Sequence, residues 1–184
     1  MAHAIAECGV VVAWHCPQLP ASPAQALALA NTIIESACNT GTDPRTELTL
    51  IGSSLGGYYA TCLAEQWQCR AAVLNPVVNA GRDLASQVGE HRQYHSDEPF
   101  VFLPEYVDEL KAMAVTTLAD PRRYYLLATT GDEVLDWREM SRWYAGSQGR
   151  IVQGSDHGIS DFAKWLPDVL AFALGQPQTD TQPA

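Results

Sequence analysis

Short apolar runs of strand length alternate with longer stretches of helical spacing along most of this 184-residue chain. This alternation is typical of a mainly parallel sheet covered by helices, because parallel strands need a crossover connection between them. The runs are almost continuously apolar, which indicates that both faces of each strand are covered. We predict about five strands, at residues 9–14, 48–51, 71–74 and 124–129, with a weaker one at 150–152.

Helices are predicted between these strands. Ser22 can cap the first of them, Pro23 suits the first helical position, and Gln25 is placed to complete a capping box. This helix is expected to run to about Cys38. Residues 55–68 carry apolar side chains at helical spacing and predict a second helix.

The last predicted helix covers residues 161–174, with Ser160 as its cap and a kink at Pro167. Together the elements predict one α/β domain over residues 1–174, because the length suits a single core. Within it, residues 77–120 contain one helix near 104–114 and form a lid-like insertion or pocket wall. The polar, proline-containing tail at 175–184 is expected to be disordered.

Charge and composition exclude several classes of protein. The chain has 11 Lys and Arg against 21 Asp and Glu, a formal charge of -10, and no basic run. Nucleic acid and anionic membrane surfaces are therefore poor partners. No apolar run approaches the roughly 18 residues of a membrane span, and the first residues lack the basic start of a secretory signal.

The cysteines favour a cytoplasmic location. An odd number without a C-x-x-C pair suits buried thiols in a reducing compartment better than a disulfide framework. These cysteines are Cys8, Cys16, Cys38, Cys62 and Cys69.

The pentapeptide Gly52-Ser-Ser-Leu-Gly56 fits G-x-S-x-G and stands between a predicted strand and a predicted helix. Such a sharp turn forces Ser54 into a strained conformation with an exposed hydroxyl, and flanking glycines let strand and helix approach closely. Gly57 is expected to relieve crowding further. At the start of the helix, the Leu55 N–H points to where an oxyanion would form.

A serine hydroxyl needs a base to take its proton and a third group to orient that base. In this arrangement the chain order is serine, acid, histidine, each beyond a later strand. Asp132 follows the strand at 124–129, and His157 follows the weak last strand. Glu133 and Asp136 are rivals for the acid position.

Other readings of nearby residues are open. Ser53 is an alternative nucleophile that fits the glycine spacing less well, and Asp156 would point the wrong way to orient its neighbour His157. Asn75 is interpreted as the end of a strand, and a role in substrate binding is a guess. A loose group of metal-ligand types matches no zinc spacing, so no metal is expected there; its members are His91, His95 and Asp97.

Five longer stretches make the chain resemble the small YqiA/YcfP-type esterases of the α/β-hydrolase superfamily over residues 9–174. They are CPQLPASP (16–23), LIGSSLGGYYAT (50–61), VLNPVV (73–78), TGDEVLDW (130–137) and GSDHGISDF (154–162). The resemblance implies a three-layer α/β-hydrolase sandwich. It also implies hydrolysis of short to medium acyl esters or thioesters, with Ser54 as nucleophile, Asp132 as acid, His157 as base and no cofactor.

The chain departs from that family at its start. Family members begin with a strand that ends in a His-Gly-Phe-like loop, whose backbone supplies a second oxyanion donor. Here residues 1–8 resemble the last turns of the helix that should follow, and Gly9 can cap that helix or open the next strand.

The strand expected by resemblance would lie between residues 9–14 and 48–51. Its absence should leave unpaired backbone on both neighbours or force them to pair directly. A late start codon or a truncated chain would account for it. Loss of one oxyanion donor typically lowers turnover about 100- to 1000-fold, so weak activity is expected.

Two alternatives to a serine esterase follow. One is a non-catalytic protein on a hydrolase scaffold, and the other is an acyltransferase that uses the same serine. The sequence does not specify the acyl chain, the leaving group or the oligomeric state.

Overall fold

The computed structural model describes residues 1–7, 9–92 and 99–176. Over these residues the strands are β1 (Thr49–Ser53), β2 (Arg70–Leu74), β3 (Gly89–Arg92), β4 (Pro99–Phe102), β5 (Tyr124–Thr129) and β6 (Gln148–Val152). The α-helices there are α1 (Ala2–Glu7), α2 (Pro23–Asn39), α3 (Pro44–Glu47), α4 (Leu55–Trp67), α5 (Ala80–Asp83), α6 (Pro104–Ala112), α7 (Trp137–Trp143) and α8 (Leu166–Ala173).

Four of the strands form a parallel sheet in the order β1-β2-β5-β6. Successive side chains of β2 point to opposite faces. Ala71 and Val73 pack with α4 and α7 on one face, whereas Ala72 and Leu74 pack with α8 on the other. Helices therefore cover both faces of the sheet, which confirms the predicted three-layer α/β architecture.

The start of α2 follows its sequence signals. The Ser22 hydroxyl accepts a hydrogen bond from the Gln25 N–H at 3.2 Å, and Pro23 is the first helical residue. The same hydroxyl donates to Glu109 at 2.8 Å. The capping residue thus also joins α2 to α6.

Residues 77–120 pack onto the sheet domain through α6. In this segment β3 and β4 form an antiparallel pair, and α5 contacts α6. The Tyr58 hydroxyl on α4 donates to the Leu110 carbonyl at 2.7 Å, and Leu110 is fully buried. The side of α6 that faces α2 and α4 is therefore part of the hydrophobic core.

The strand predicted at residues 9–14 is wrong. Residues 10–20, all of which the structure describes, form no regular secondary structure, and Val11 is fully exposed. A strand needs a hydrogen-bonded neighbour. Instead, an open cleft of about 380 Å³ lies between residues 13–19, helix α2 and the outer edge of β1. Residues 9–14 and β1 thus do not pair with each other, which is the first of the two outcomes expected from the sequence. Over the described residues the parallel sheet has four strands rather than the five predicted.

The last predicted helix is interrupted. A 3₁₀ turn covers Phe162–Lys164, and α8 begins only at Leu166. Asp161 rather than Ser160 precedes the turn, and Pro167 lies in the first turn of α8. Proline is tolerated there without a kink, because the first N–H groups of a helix have no intrahelical acceptor.

The predicted tight passage between β1 and α4 depends on two of its three glycines. A Cβ added at Gly52 would lie 2.1 Å from the Gly56 carbonyl oxygen, and one at Gly57 would lie 2.7 Å from the Pro76 Cβ. A Cβ at Gly56 would meet no heavy atom within 4 Å. The close approach of strand and helix therefore requires Gly52 and Gly57.

The cysteines are not uniformly buried as predicted. Cys62 and Cys69 are buried, and burial raises the pKa of each thiol to about 12. Cys16 is exposed, whereas Cys38 is partly buried. Cys8 lies outside the described residues. No helix in the described part of the chain is long and apolar enough to cross a membrane.

A matched pair of valine substitutions tests the position of residues 9–14. Val73→Ala should lower the free energy of unfolding by about 2 kcal/mol, because it removes methyl groups from a fully buried position. Val11→Ala should change it by less than about 0.5 kcal/mol. Urea unfolding followed by circular dichroism measures both. A loss for Val11→Ala as large as that for Val73→Ala would show that Val11 is buried.

A second pair tests the tight passage. Gly52→Ala should cost about 1–3 kcal/mol, because its Cβ would collide with the backbone of α4. Gly56→Ala should be neutral or stabilising by up to about 1 kcal/mol, since alanine is the better helix former. Thermal unfolding of both variants gives the comparison, and equal losses would show that position 52 is no more crowded than position 56.

Candidate active site

Three polar side chains follow the carboxyl ends of three parallel strands. Ser54 follows β1 directly, Asp132 follows β5, and His157 follows β6. Because the strands are parallel, these ends lie at one edge of the sheet, although the residues are far apart in sequence. The parallel pairing therefore brings the three residues that the sequence analysis selected to the same edge of the sheet.

Ser54 adopts the strained conformation predicted for the turn. Its φ of 53° and ψ of -123° are unfavourable for any residue with a side chain. Its N–H donates to the Leu74 carbonyl at 3.0 Å, and its carbonyl accepts from the Gly57 and Val77 N–H groups at 3.0 and 3.1 Å. These bonds to β2, to the loop after it and to α4 hold the turn in place.

The three side chains form a continuous hydrogen-bonded row. His157 Nε2 lies 2.9 Å from Ser54 Oγ, and His157 Nδ1 lies 2.9 Å from Asp132 Oδ2. The imidazole is mostly buried, with about 20% of its side chain exposed, and the Asp132 side chain is completely buried. The row therefore has one accessible end, at the serine.

The other carboxylate oxygen of Asp132 is held by its own turn. Asp132 Oδ1 accepts hydrogen bonds from the Val134 and Leu135 N–H groups at 2.8 and 2.9 Å. These two hydrogen bonds fix the direction of Oδ2 toward the imidazole.

The rivals for these positions have other contacts. Glu133 accepts a hydrogen bond from the His157 backbone N–H at 3.0 Å, so it contacts the loop and not the ring. Asp136 caps α7 through the Arg138 N–H, and Asp156 accepts from the Ser160 N–H. Ser53 is an exposed last residue of β1, and the hydroxyl bonded to His157 is that of Ser54.

The N-terminus of α4 lies next to the serine. Leu55 is the first residue of that helix, so its N–H has no intrahelical acceptor. The aligned peptide dipoles place partial positive charge at this end. The position suits a donor to negative charge that develops on a group attacked by Ser54.

Asn75 is a polar residue at the same edge whose contacts the sequence analysis did not predict. Its side chain is fully buried and contacts both Thr129 at the end of β5 and the carbonyl of His157. The only signal in the sequence was a polar residue, followed by proline, at the carboxyl end of an apolar strand. That pattern also fits an ordinary strand end, so it did not distinguish a buried residue with contacts at the site from a residue that only ends a strand.

No group of three His, Cys, Asp or Glu side chains that could hold a metal occurs in the described part of the chain. Of the loose group noted in the sequence, His95 and Asp97 lie outside the described residues, and only the backbone of His91 is described. At the sheet edge the side chains offer a hydroxyl in reach of an imidazole that is oriented by a carboxylate.

Several solved structures share this fold. A protein from Agrobacterium vitis S4 is 17% identical and aligns over 82% of this chain and 68% of its own, with a TM-score of 0.60. The esterase domain of a Rhodothermus marinus protein is 20% identical over 80% and 68%, with a TM-score of 0.55. Est1E from Butyrivibrio proteoclasticus, solved with ferulic acid bound, is 14% identical over 83% and 68%, with a TM-score of 0.59.

These likenesses confirm the α/β-hydrolase fold. The model of the uncharacterised protein family UPF0227 matches residues 1–174, which is nearly the whole chain. This match agrees with the YqiA/YcfP resemblance drawn from the motifs. The chain therefore belongs to the UPF0227 family.

Proposed function

We propose that this protein is a serine hydrolase that cleaves short to medium acyl esters or thioesters through an acyl-enzyme. One observation carries the proposal: Ser54 Oγ and Asp132 Oδ2 each lie 2.9 Å from opposite nitrogens of the His157 ring. A hydroxyl becomes a useful nucleophile at neutral pH only with such a base and orienting group. The positive end of α4 beside Ser54 supports the same reaction.

In the first half of the reaction, Ser54 Oγ attacks the acyl carbonyl carbon while its proton moves to His157 Nε2. Asp132 holds the ring with Nε2 toward the serine and stabilises the imidazolium that forms. The Leu55 N–H donates to the developing oxyanion. The tetrahedral intermediate collapses with loss of the alcohol or thiol, which takes the proton from His157.

In the second half, water replaces the leaving group. His157 takes a proton from the water as its oxygen attacks the acyl carbon, and the bond to Ser54 Oγ breaks with return of that proton to the serine. The products are the free acid and the unmodified enzyme. An alcohol in place of water would give the acyltransferase alternative with the same three residues.

The fold supports this chemistry without specifying the substrate. One solved relative in fold is an esterase domain, and Est1E was solved with ferulic acid bound. At 14–20% identity such likenesses indicate a scaffold, and function depends on the site carried by it. We therefore assign the ester or thioester class from the serine site and leave the acyl chain to measurement.

Replacement of the serine tests the proposal directly. Ser54→Ala should lower hydrolysis of p-nitrophenyl butyrate by at least about 1000-fold, because the nucleophile is removed. Ser53→Ala, the adjacent and exposed serine, is the matched control and should retain activity within about twofold. A fluorophosphonate probe should label the wild-type chain at Ser54 alone.

Three results would contradict the hydrolase. They are full activity in Ser54→Ala, a loss confined to Ser53→Ala, and a folded wild-type chain that neither turns over ester nor takes up the probe. The last of these would favour the non-catalytic alternative. Competition between water and added alcohols, with both products quantified, separates a hydrolase from an acyltransferase.

The acid position can be tested with isosteric changes in one turn. Asp132→Asn should lower kcat by about 10³- to 10⁴-fold, because the amide cannot hold the ring in the required tautomer and charge state. Asp136→Asn should leave kcat within about twofold, because that side chain caps α7. Glu133→Gln keeps an acceptor for the His157 N–H and should also be mild. A loss in either control equal to that of Asp132→Asn would overturn the assignment.

A further inference from the structure

The loop that carries His157 has an irregular backbone. It leaves β6 through Gly154 with φ of 72°, and both Ser155 and Ile159 have positive φ, at 60° and 52°. Residues with side chains are unfavourable in this region, so surrounding contacts must impose such a path. The distance from the ring to Ser54 therefore depends on what holds the loop.

The buried side chain of Asn75, the residue after β2, contacts the backbone carbonyls on both sides of the His157 Cα. Asn75 Nδ2 lies 2.9 Å from the His157 carbonyl oxygen, 3.2 Å from that of Asp156 and 3.0 Å from Thr129 Oγ1. Asn75 Oδ1 accepts from the Thr129 N–H at 2.9 Å. Asn75 thus joins β2, β5 and the loop after β6.

The pattern of partners requires a side chain with both a donor and an acceptor. Two carbonyl oxygens face the nitrogen end of the Asn75 side chain, and a backbone N–H faces the oxygen end. An aspartate would present oxygen to carbonyls. An aliphatic residue would remove the side-chain partner of the His157 carbonyl and of the Thr129 N–H, which is costly at a fully buried site, whereas the Asp156 carbonyl would keep its bonds from the Ile159 N–H and the Thr129 hydroxyl.

The backbone of Asn75 is also unusual. Its φ is 39°, and its N–H donates to the Leu127 carbonyl at 2.8 Å. Asparagine is among the few residues that tolerate positive φ. A strand can end without a buried amide or a strained backbone, so both features call for a role beyond termination of β2.

We propose that Asn75 is a positioning residue for His157: its amide fixes the loop carbonyls so that the imidazole stays in reach of both Ser54 and Asp132. This proposal rests on the hydrolase proposed above. A misplacement of about 1 Å at a reacting group costs on the order of 100-fold in rate. Asn75 does not contact the reacting atoms, so it acts through the histidine.

The test compares Asn75→Asp and Asn75→Gly with a control in the core. Asp keeps the shape and loses the donors, whereas Gly accepts the positive φ and removes the amide. Tyr144→Phe is the control, because it removes a buried hydrogen bond to Thr61, and Tyr144 packs in the core on the opposite face of the sheet from Ile159 of the loop. Both Asn75 variants should lose about 10- to 100-fold in kcat with KM within about twofold, and the control should keep kcat within about twofold.

A spectroscopic readout separates this proposal from the hydrolase itself. The low-field NMR signal of the His157 Nδ1 proton should broaden or shift in both Asn75 variants and stay unchanged in Tyr144→Phe, whether or not the protein hydrolyses esters. Failure of the hydrolase would appear as full activity in Ser54→Ala. Failure of the positioning role would appear as an unchanged ring signal in a folded Asn75 variant.

Other outcomes also decide the proposal. A folded Asn75 variant with kcat within about twofold of wild type overturns it, as does an equal loss in Tyr144→Phe. If neither Asn75 variant folds, the wild-type side-chain amide of Asn75 is followed by hydrogen exchange. Exchange as slow as that of the β2 and β5 backbone amides supports the proposal, and fast exchange overturns it.

Discussion

The parallel pairing of β1, β2, β5 and β6 is the constraint on which the rest of the structure depends. Parallel strands align their carboxyl ends at one edge. Ser54, Asn75, Asp132 and His157 each come after the carboxyl end of one of these strands. The paired strands therefore bring Ser54, Asp132 and His157 to one edge of the sheet, and the turns and loops that follow the strands set the distances between their side chains.

Coverage of both sheet faces makes this pairing stable. The small side chains of β2 and the bulkier ones of β5 alternate between a layer of α4 and α7 and a layer that contains α8. The central strands β2 and β5 are thus buried on both faces of the sheet. At its β1 edge, however, the cleft beside residues 13–19 leaves the outer backbone of β1 without a strand neighbour among the described residues.

Close backbone approaches define the geometry of the site. Gly52 allows the carbonyl of Gly56 to pass it, and a Cβ at Gly131 would lie 2.2 Å from the Ser155 carbonyl oxygen. The first contact fixes the turn that presents Ser54, and the second brings the loop of His157 against the turn of Asp132. The Ser54 turn therefore requires glycine at position 52, and the contact between the Asp132 turn and the His157 loop requires glycine at position 131.

The sequence determined the elements whose signals are local. β5 has the predicted bounds, α2 starts at its predicted cap, and the order serine, acid, histidine along three strand ends followed from the motifs. The identity of the fold family also followed from contiguous stretches. These features depend on residues close together in the chain, such as Ser22 with Gln25 or Gly52 with Ser54.

Tertiary structure decided what depends on neighbours distant in sequence. Residues 9–14 have the composition of a buried strand, but burial needs a paired neighbour, and these residues lie across a cleft from β1. Of Asp132, Glu133 and Asp136, it is Asp132 whose carboxylate reaches the imidazole ring, and this depends on how the turn folds against the loop of His157. The contacts of Asn75 exist only because β2, β5 and the loop after β6 meet at one point, which no single stretch of the sequence encodes.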